Sequence, residues 1–143
     1  MGGLSGIPTS ILVQLVAQEF SRGYMDSSSP TYPGIVIDLG TVRGTYRMPV
    51  RDNIVPLSDG AGEVVEVGAG VTRVKVGDKV AGCFFQRWSG GDPPPNVQAN
   101  ALGGSIDGML AEFVVLEEDG VVKIPAHLSA EEGATLPCAG VTA

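Results

Sequence analysis

The sequence predicts a mainly β domain with short helices, folded as a small barrel or rolled sheet. The chain has 21 glycines and 10 prolines among 143 residues, and only 17% of its residues are charged. This composition favours short strands joined by tight turns over a helical bundle. Short apolar or alternating runs recur from about residue 54 onward. A domain of this length buries roughly two thirds of its unfolded surface, so it needs no disulfide framework.

Residues 1–34 differ in character from the rest of the chain. Thr9 or Ser10 could cap a helix of about 12 residues. Five of six following positions at helical spacing are apolar, and the six are Ile11, Leu12, Leu15, Val16, Glu19 and Phe20. Residues 26–34, with the sequence DSSSPTYPG, have the composition of a loop or linker. We expect a surface helix docked on the core, with a partner-binding helix or a loose tail as alternatives.

Four strands are predicted beyond this segment, and short turn signals separate them. They span residues 63–67, 80–85, 109–116 and 121–124, with a turn at Gly77-Asp78 and an Asp-Gly turn at 118–120. Residues 86–108 form a polar loop, and loops of that length are usually functional or mobile.

Two Gly-Ala-Gly units, at residues 60–62 and 68–70, flank the first of these strands. A dinucleotide-binding loop needs a third glycine at fixed spacing, in a turn that follows a strand and opens a helix. We therefore interpret both units as bends or bulges of a barrel.

A helix is predicted near the end of the chain. Ser129 and Glu132 form a capping box, which places the start of the helix at Ala130. Pro137 limits this helix to about two turns or starts a second helical piece. The chain ends at Ala143 without a closing cap, which leads us to expect a continuation.

Net charge and motif content narrow the class of function. A net charge of −7 argues against binding to nucleic acid or to an anionic membrane. No apolar run approaches the length of a membrane span. Cys83 and Cys138 are expected to be reduced thiols, so we predict a cytoplasmic protein.

The lone His127 is interpreted as structural, and Ser58-Asp59 lacks the neighbouring histidine of a hydrolase triad. The aromatic residues Phe84, Phe85 and Trp88 are interpreted as core and loop anchors.

Residues 50–68, with the sequence VRDNIVPLSDGAGEVVEVG, and residues 76–80, VGDKV, resemble the medium-chain dehydrogenase/reductase superfamily. The zinc-independent branch, which is quinone-oxidoreductase-like and alcohol-dehydrogenase-like, is most similar. Residues 108–113, 124–125 and 134–143 follow the same family pattern, so the resemblance spans about residues 38–143.

The resemblance implies a GroES-like, partly open β-barrel with the Rossmann domain absent. It divides the chain into an atypical segment 1–34, a GroES-like substrate domain 35–128, and residues 129–143 as the start of a helix leading to the missing domain. The expected first strands of the barrel are not recognisable, so we expect an exposed sheet edge. The implied activity is NAD(P)H-dependent transfer of hydride to or from a carbonyl, an alcohol or an activated double bond. A chain truncated in this way is expected to be inactive alone, and a non-catalytic interaction module or a degenerate gene product is the alternative.

The resemblance also assigns residues. Ser58 and Asp59 are the implied catalytic cleft residues, and Thr142 and Asp38 the implied contacts of NADPH or NADH, which this chain alone is not expected to bind tightly. Leu57-Ser58-Asp59 stands where zinc-dependent members have Gly-His-Glu, and Ile35 lies near an expected cysteine ligand. Cys138 keeps the other cysteine position, but one thiolate cannot hold a catalytic zinc, so no metal is predicted. The implied partners are a small-molecule substrate and, in a homo-oligomer, a second copy of the chain, with no nucleic acid and no membrane.

Overall fold

One antiparallel sheet organises the part of the chain that the computed structural model describes, which is residue 4 and residues 8–19, 43–44 and 50–141. Its strands lie in the order β4-β1-β2-β3-β5. They are β1 (Ser10–Glu19), β2 (Asp59–Val67), β3 (Lys79–Gly82), β4 (Phe113–Glu117) and β5 (Val121–Lys123). A helix α1 (Ala130–Ala134) and a π-helical segment (Leu136–Gly140) follow, and 3-10 turns span Val97–Asn100 and Glu118–Gly120. The mainly β fold with short helices is confirmed.

The predicted N-terminal helix is wrong, because the same residues form β1. Ile11 and Val13 are buried, whereas the next residue, Gln14, is exposed. This alternation of buried and exposed side chains is that of a strand. β1 pairs with β2 on one side and with β4 on the other. The segment expected to lie outside the barrel therefore provides an interior strand of its sheet. The predicted linker at 26–34 lies outside the described residues.

The short connection between β4 and β5 shows that the sheet is rolled. These two strands stand at opposite edges in the strand order, yet only the 3-10 turn Glu118–Gly120 separates them in the chain. Three residues span at most about 10 Å, so the two edges must approach each other at that end. The turn was predicted from its Asp-Gly signal, whereas the placement of its strands at opposite edges depends on the whole sheet.

The Gly-Ala-Gly unit at 60–62 lies inside β2 and accommodates a bulge in β1. Leu15 pairs with Gly62 and Ala17 pairs with Ala61, so Val16 is an extra residue on β1. A Cβ on Gly62 would lie 2.1 Å from the carbonyl oxygen of Gln14. Only glycine allows the two backbones to approach this closely, which confirms the interpretation of this unit as a barrel feature.

The core lies inside the rolled sheet. Its buried residues are Ile11, Val13, Leu57, Val64, Val74, Val80, Leu102, Met109, Val114, Leu116 and Val121. The predicted strand 109–116 begins later than expected, at Phe113, because the Met109 amide instead donates to the carbonyl of Leu57 at 2.8 Å. This contact brings the segment before β2 against the segment before β4.

The predicted strand 80–85 is shorter than expected, since β3 ends at Gly82, whereas the capping box, Pro137 and Trp88 agree with their predicted roles. Ser129 Oγ accepts a hydrogen bond from the Glu132 amide, and the Glu132 carboxylate accepts one from the Ser129 amide, so the capping box is present. Pro137 begins a second helical piece, as expected. Trp88 anchors the polar loop, since its ring lies 5.8 Å from that of Phe85 and its Nε1–H donates to the Gly91 carbonyl. The described residues include no helix long and apolar enough to cross a membrane.

Candidate functional site

Ser58 and Asp59 lie together where β2 begins. Ser58 is 4% exposed and Asp59 is fully buried. Asp59 pairs with Glu19 at the far end of β1. A carboxyl group in such a place needs hydrogen-bond partners, because burying an unpaired charge is costly. The two residues therefore form a polar site within the protein interior.

The buried carboxylate connects this site to the C-terminal helical segment. Asp59 Oδ2 accepts a hydrogen bond of 3.1 Å from the backbone amide of Ala139, which lies 80 positions later in the chain. Cys138 precedes Ala139, so the structure brings together the two stretches that the resemblance assigns to one cleft. Thr142 and Asp38, the two cofactor residues implied by the resemblance, lie outside the described residues.

Leu57, directly before the polar pair, has an unusual backbone. Its φ of 76° lies in the left-handed region that favours glycine, although its side chain is fully buried. The resemblance implies that the glycine of the Gly-His-Glu stretch falls at this position. Such conformations persist where the surroundings enforce them and often accompany functional sites.

Two glycines enforce the conformation of Leu57. A Cβ on Gly103 would lie 2.9 Å from the backbone of Leu57, and one on Gly108 would lie 2.0 Å from its carbonyl oxygen. That same oxygen accepts from the Met109 amide. The segment 103–109 therefore closes over the backbone of Leu57 and fixes the direction from which Ser58 and Asp59 enter β2.

The donor set at this site does not suit a catalytic zinc ion. Ser58 occupies the histidine position of the Gly-His-Glu stretch, and Cys138 is the one thiol of the resemblance's ligand set. Within the described part of the chain, no group of three or more His, Cys, Asp or Glu side chains could hold a metal ion. Three protein ligands and an open position are required for catalysis by zinc. No chemical step is therefore assigned to a metal here.

The surroundings of Cys83 favour a structural thiol over a reactive one. Burial raises the pKa of this thiol above its ordinary value, and the nearby positive charge of Arg73 opposes the shift only in part. A thiol with a raised pKa is a poor nucleophile at neutral pH. Neither Cys83 nor Cys138 is in a disulfide in this structure.

A solvent-open cavity of about 210 Å³ lies at the other end of β1. Its lining residues are Thr9, Gln86, Arg87, Ser89, Glu117, Glu118 and Asp119. Ser10 and Glu19 are separated by nine strand steps, which correspond to roughly 30 Å, so this cavity is remote from Asp59.

The carboxylates of this cavity are engaged in the fold. Glu117 bonds to Arg87 at 3.0 Å and Asp119 to Arg73 at 2.8 Å. Backbone amides of Arg73 and Thr72 donate to Glu118 and lower the pKa of that carboxyl group. We interpret the cluster as a structural network that holds the rolled edges together.

Sequence reasoning selected Ser58 and Asp59, and the structure places both at one buried site. It gave no indication of Leu57 or of the contact between Asp59 and Ala139. Nothing in a run of apolar residues marks a left-handed backbone, and no local pattern links positions 80 residues apart. The one available signal of an unusual backbone at Leu57 was the resemblance, which implies a glycine at this position of the Gly-His-Glu stretch.

Comparison with known proteins gives the family. The alcohol dehydrogenase GroES-like domain matches residues 34–126. A zinc-type alcohol dehydrogenase-like protein of Schizosaccharomyces pombe is 42% identical over 106 residues, which are 74% of this chain and 31% of that protein. A chloroplast envelope quinone oxidoreductase homolog of Arabidopsis thaliana is 42% identical over 109 residues, which are 75% of this chain and 28% of that protein.

The fold has a matching relative among solved structures. A protein of Sinorhizobium meliloti 1021 described as an alcohol dehydrogenase superposes with a TM-score of 0.72 at 31% identity, over 94% of this chain and 36% of its own. The chain spans about a third of the length of the curated relatives it matches. The resemblance to medium-chain dehydrogenases is confirmed, and the chain belongs to the alcohol dehydrogenase GroES-like domain family.

Proposed function

We propose that this chain supplies the substrate side of an NAD(P)H-dependent oxidoreductase that transfers hydride to or from a carbonyl, an alcohol or an activated double bond. The observation that carries the proposal is the buried Ser58-Asp59 pair beside residues 136–140, within a domain of the alcohol dehydrogenase family. No observation of the described residues favours the alternative of a non-catalytic interaction module. The proposed setting is cytoplasmic.

The proposed cofactor is NADPH or NADH, since members of this family are NAD(P)-dependent. The described residues do not by themselves suit the nucleotide, because their sheet is antiparallel throughout and its glycines serve bulges and close contacts. A dinucleotide cradle needs a glycine-rich turn from a strand into a helix. Asp38 and Thr142 are proposed to contact the cofactor from this chain, and no step is assigned to the cofactor here.

The Ser58 hydroxyl is proposed to donate a hydrogen bond to the substrate oxygen. A preorganised donor is most effective in a site from which water is excluded, where it need not reorganise during the reaction. Ser58 is buried next to a carboxylate, so a small polar group entering there would find few competing waters. The proposed ligand is a small molecule, and the negative net charge argues against nucleic acid or membrane as partners. Association of two copies of the chain is also proposed.

Backbone NMR shifts of the 143-residue chain test the proposal. Small aldehydes, alcohols, enones and quinones are titrated one at a time, and we expect at least one to shift the amides of Ser58, Asp59 and Ala139 together. Ser58→Ala should weaken that binding about 5- to 10-fold, as for the loss of one hydrogen bond. Ser105→Ala, in the polar loop, is the control and should leave it unchanged.

Shifts confined to the cavity around Arg87 and Glu117, or no shift with any compound, would contradict the proposed substrate side. Titration of the chain with NADPH, followed by fluorescence, tests the expectation that this chain alone does not bind the cofactor tightly. Binding in the micromolar range would show that residues of this chain alone can hold the nucleotide, contrary to our expectation.

A further inference from the structure

The hydrogen bond between Asp59 and Ala139 joins two elements that share little other burial. Asp59 is fully enclosed at the start of β2. The segment Leu136–Gly140, by contrast, contains no buried residue, and Leu136 is 45% exposed. A weakly buried segment gains little from the hydrophobic effect, because that effect scales with the apolar area removed from water. Polar contacts with the sheet therefore contribute to holding this half-exposed segment in place.

A carboxylate is well suited to that task. The Asp59 oxygen that accepts this hydrogen bond belongs to a fully buried residue, and a hydrogen bond counts for more where water competes poorly. The backbone on the Asp59 side is also fixed in place, since Gly103 and Gly108 close over Leu57 directly before it. The acceptor is thus held by a rigid element, and the donor belongs to a segment with little packing of its own.

We propose that Asp59 is a positioning residue, whose carboxylate holds the segment Leu136–Gly140 against the sheet, two residues before Thr142 in the sequence. This differs from the catalytic role that the resemblance implied for Asp59. The carboxylate acts through the backbone of Ala139 rather than on a reacting atom. The consequence for the reaction rests on the proposed function, because Thr142 is the residue proposed to contact the cofactor.

Amide hydrogen exchange of the 143-residue chain tests this inference without any ligand. In Asp59→Ala, exchange at Ala139 is expected to become about 2- to 10-fold faster, the effect of losing one hydrogen bond. In Asp59→Asn, the side-chain carbonyl can still accept from Ala139, so exchange there should lie between those of the wild type and of Asp59→Ala. Asn has the size of Asp, so this variant also serves if Asp59→Ala fails to fold.

Two comparisons separate positioning from general stabilisation. The amides of Ala61 and Ala81, in the paired strands β2 and β3, report on opening of the whole sheet. Asp107→Ala is the matched control, because Asp107 accepts from the Val55 amide at the same distance of 3.1 Å. It should accelerate exchange at Val55 and leave Ala139 unchanged.

Three results would overturn the inference. The first is a wild-type Ala139 amide that exchanges as fast as an unprotected peptide. The second is an Asp59→Ala protein with unchanged exchange at Ala139, and the third is an equal acceleration at Ala61, Ala81 and Ala139. None of these results would contradict the proposed function as a substrate-binding domain, since exchange is measured without substrate. Conversely, failure of every compound to bind near Ser58 would leave the positioning of Ala139 intact.

Discussion

Substituting Leu57 by alanine and by glycine tests whether the backbone before the site is strained. Both variants remove the same buried side chain and leave nearly the same cavity. The loss common to both is about 2–5 kcal/mol of unfolding free energy, the range for a buried leucine cut back to alanine. Their difference therefore isolates the backbone at position 57.

The sign of that difference follows from the φ of 76° at Leu57. In ordinary strand or helix backbone, glycine is less stable than alanine by about 0.5–1 kcal/mol, because it loses more conformational freedom on folding. In the left-handed region a Cβ costs roughly 1–2 kcal/mol, and glycine avoids this cost. Leu57→Gly should therefore be more stable than Leu57→Ala by about 0.5–1 kcal/mol.

Urea unfolding followed by circular dichroism measures the difference. With a slope of about 1–3 kcal/mol per molar urea, the midpoint of Leu57→Gly should lie roughly 0.2–1 M above that of Leu57→Ala. The matched pair is Leu116→Ala and Leu116→Gly, because Leu116 is equally enclosed but lies within β4. There the order should reverse. If glycine were the less stable variant by the same margin at both positions, the reasoning on Leu57 would be refuted.

Three further predictions concern the sheet. Gly62→Ala should destabilise the chain by more than about 3 kcal/mol or prevent folding, because its Cβ would meet a backbone carbonyl of β1 at 2.1 Å. The control Gly104→Ala, whose Cβ would have no neighbour nearer than 4.0 Å, should change the urea midpoint little. Gln86→Leu should cost about 2–4 kcal/mol in the same assay, since the buried amide bonds to three backbone groups that would lose their partner; an unchanged midpoint would contradict those contacts. The side chains of Lys123 and then Lys75 hold the pKa of Asp78 far below its ordinary value, so its contribution to stability is present above about pH 4 and is lost as the pH falls below that. In a pH series of thermal unfolding, Asp78→Asn should flatten the loss below pH 4, and a wild-type slope in this variant would refute the assignment.

The turns, the capping box and the bend at the first Gly-Ala-Gly unit could be predicted because each has a signal within a short stretch of sequence. Ser129 and Glu132 are three positions apart and satisfy each other's backbone amides whatever surrounds them. Gly62 stands in an alternating run, where a glycine already indicates a bulge or a close backbone approach. The family pattern around Ser58 likewise lies within one stretch of sequence.

The segment at 10–19 was predicted wrongly because its pattern suits two structures. Ile11, Leu12, Leu15 and Val16 lie on one face of a helix, while Ile11 and Val13 are also two positions apart and both buried, with the less buried Leu12 between them, as in a strand. Pairing with β2 and β4 on both sides satisfies the backbone groups of this segment. Those partners are distant in sequence, so the choice could not be made from residues 10–19 alone.

The sequence by itself determined the mainly β character, the helix start at Ala130 and the family to which the chain belongs. The tertiary structure alone decided three things: the strand identity of β1, the left-handed backbone of Leu57 and the bond between Asp59 and Ala139. Each of these depends on contacts between segments that lie tens of residues apart. Local sequence fixes the conformations a segment can adopt, and the free energy of packing and hydrogen bonding across the sheet selects among them.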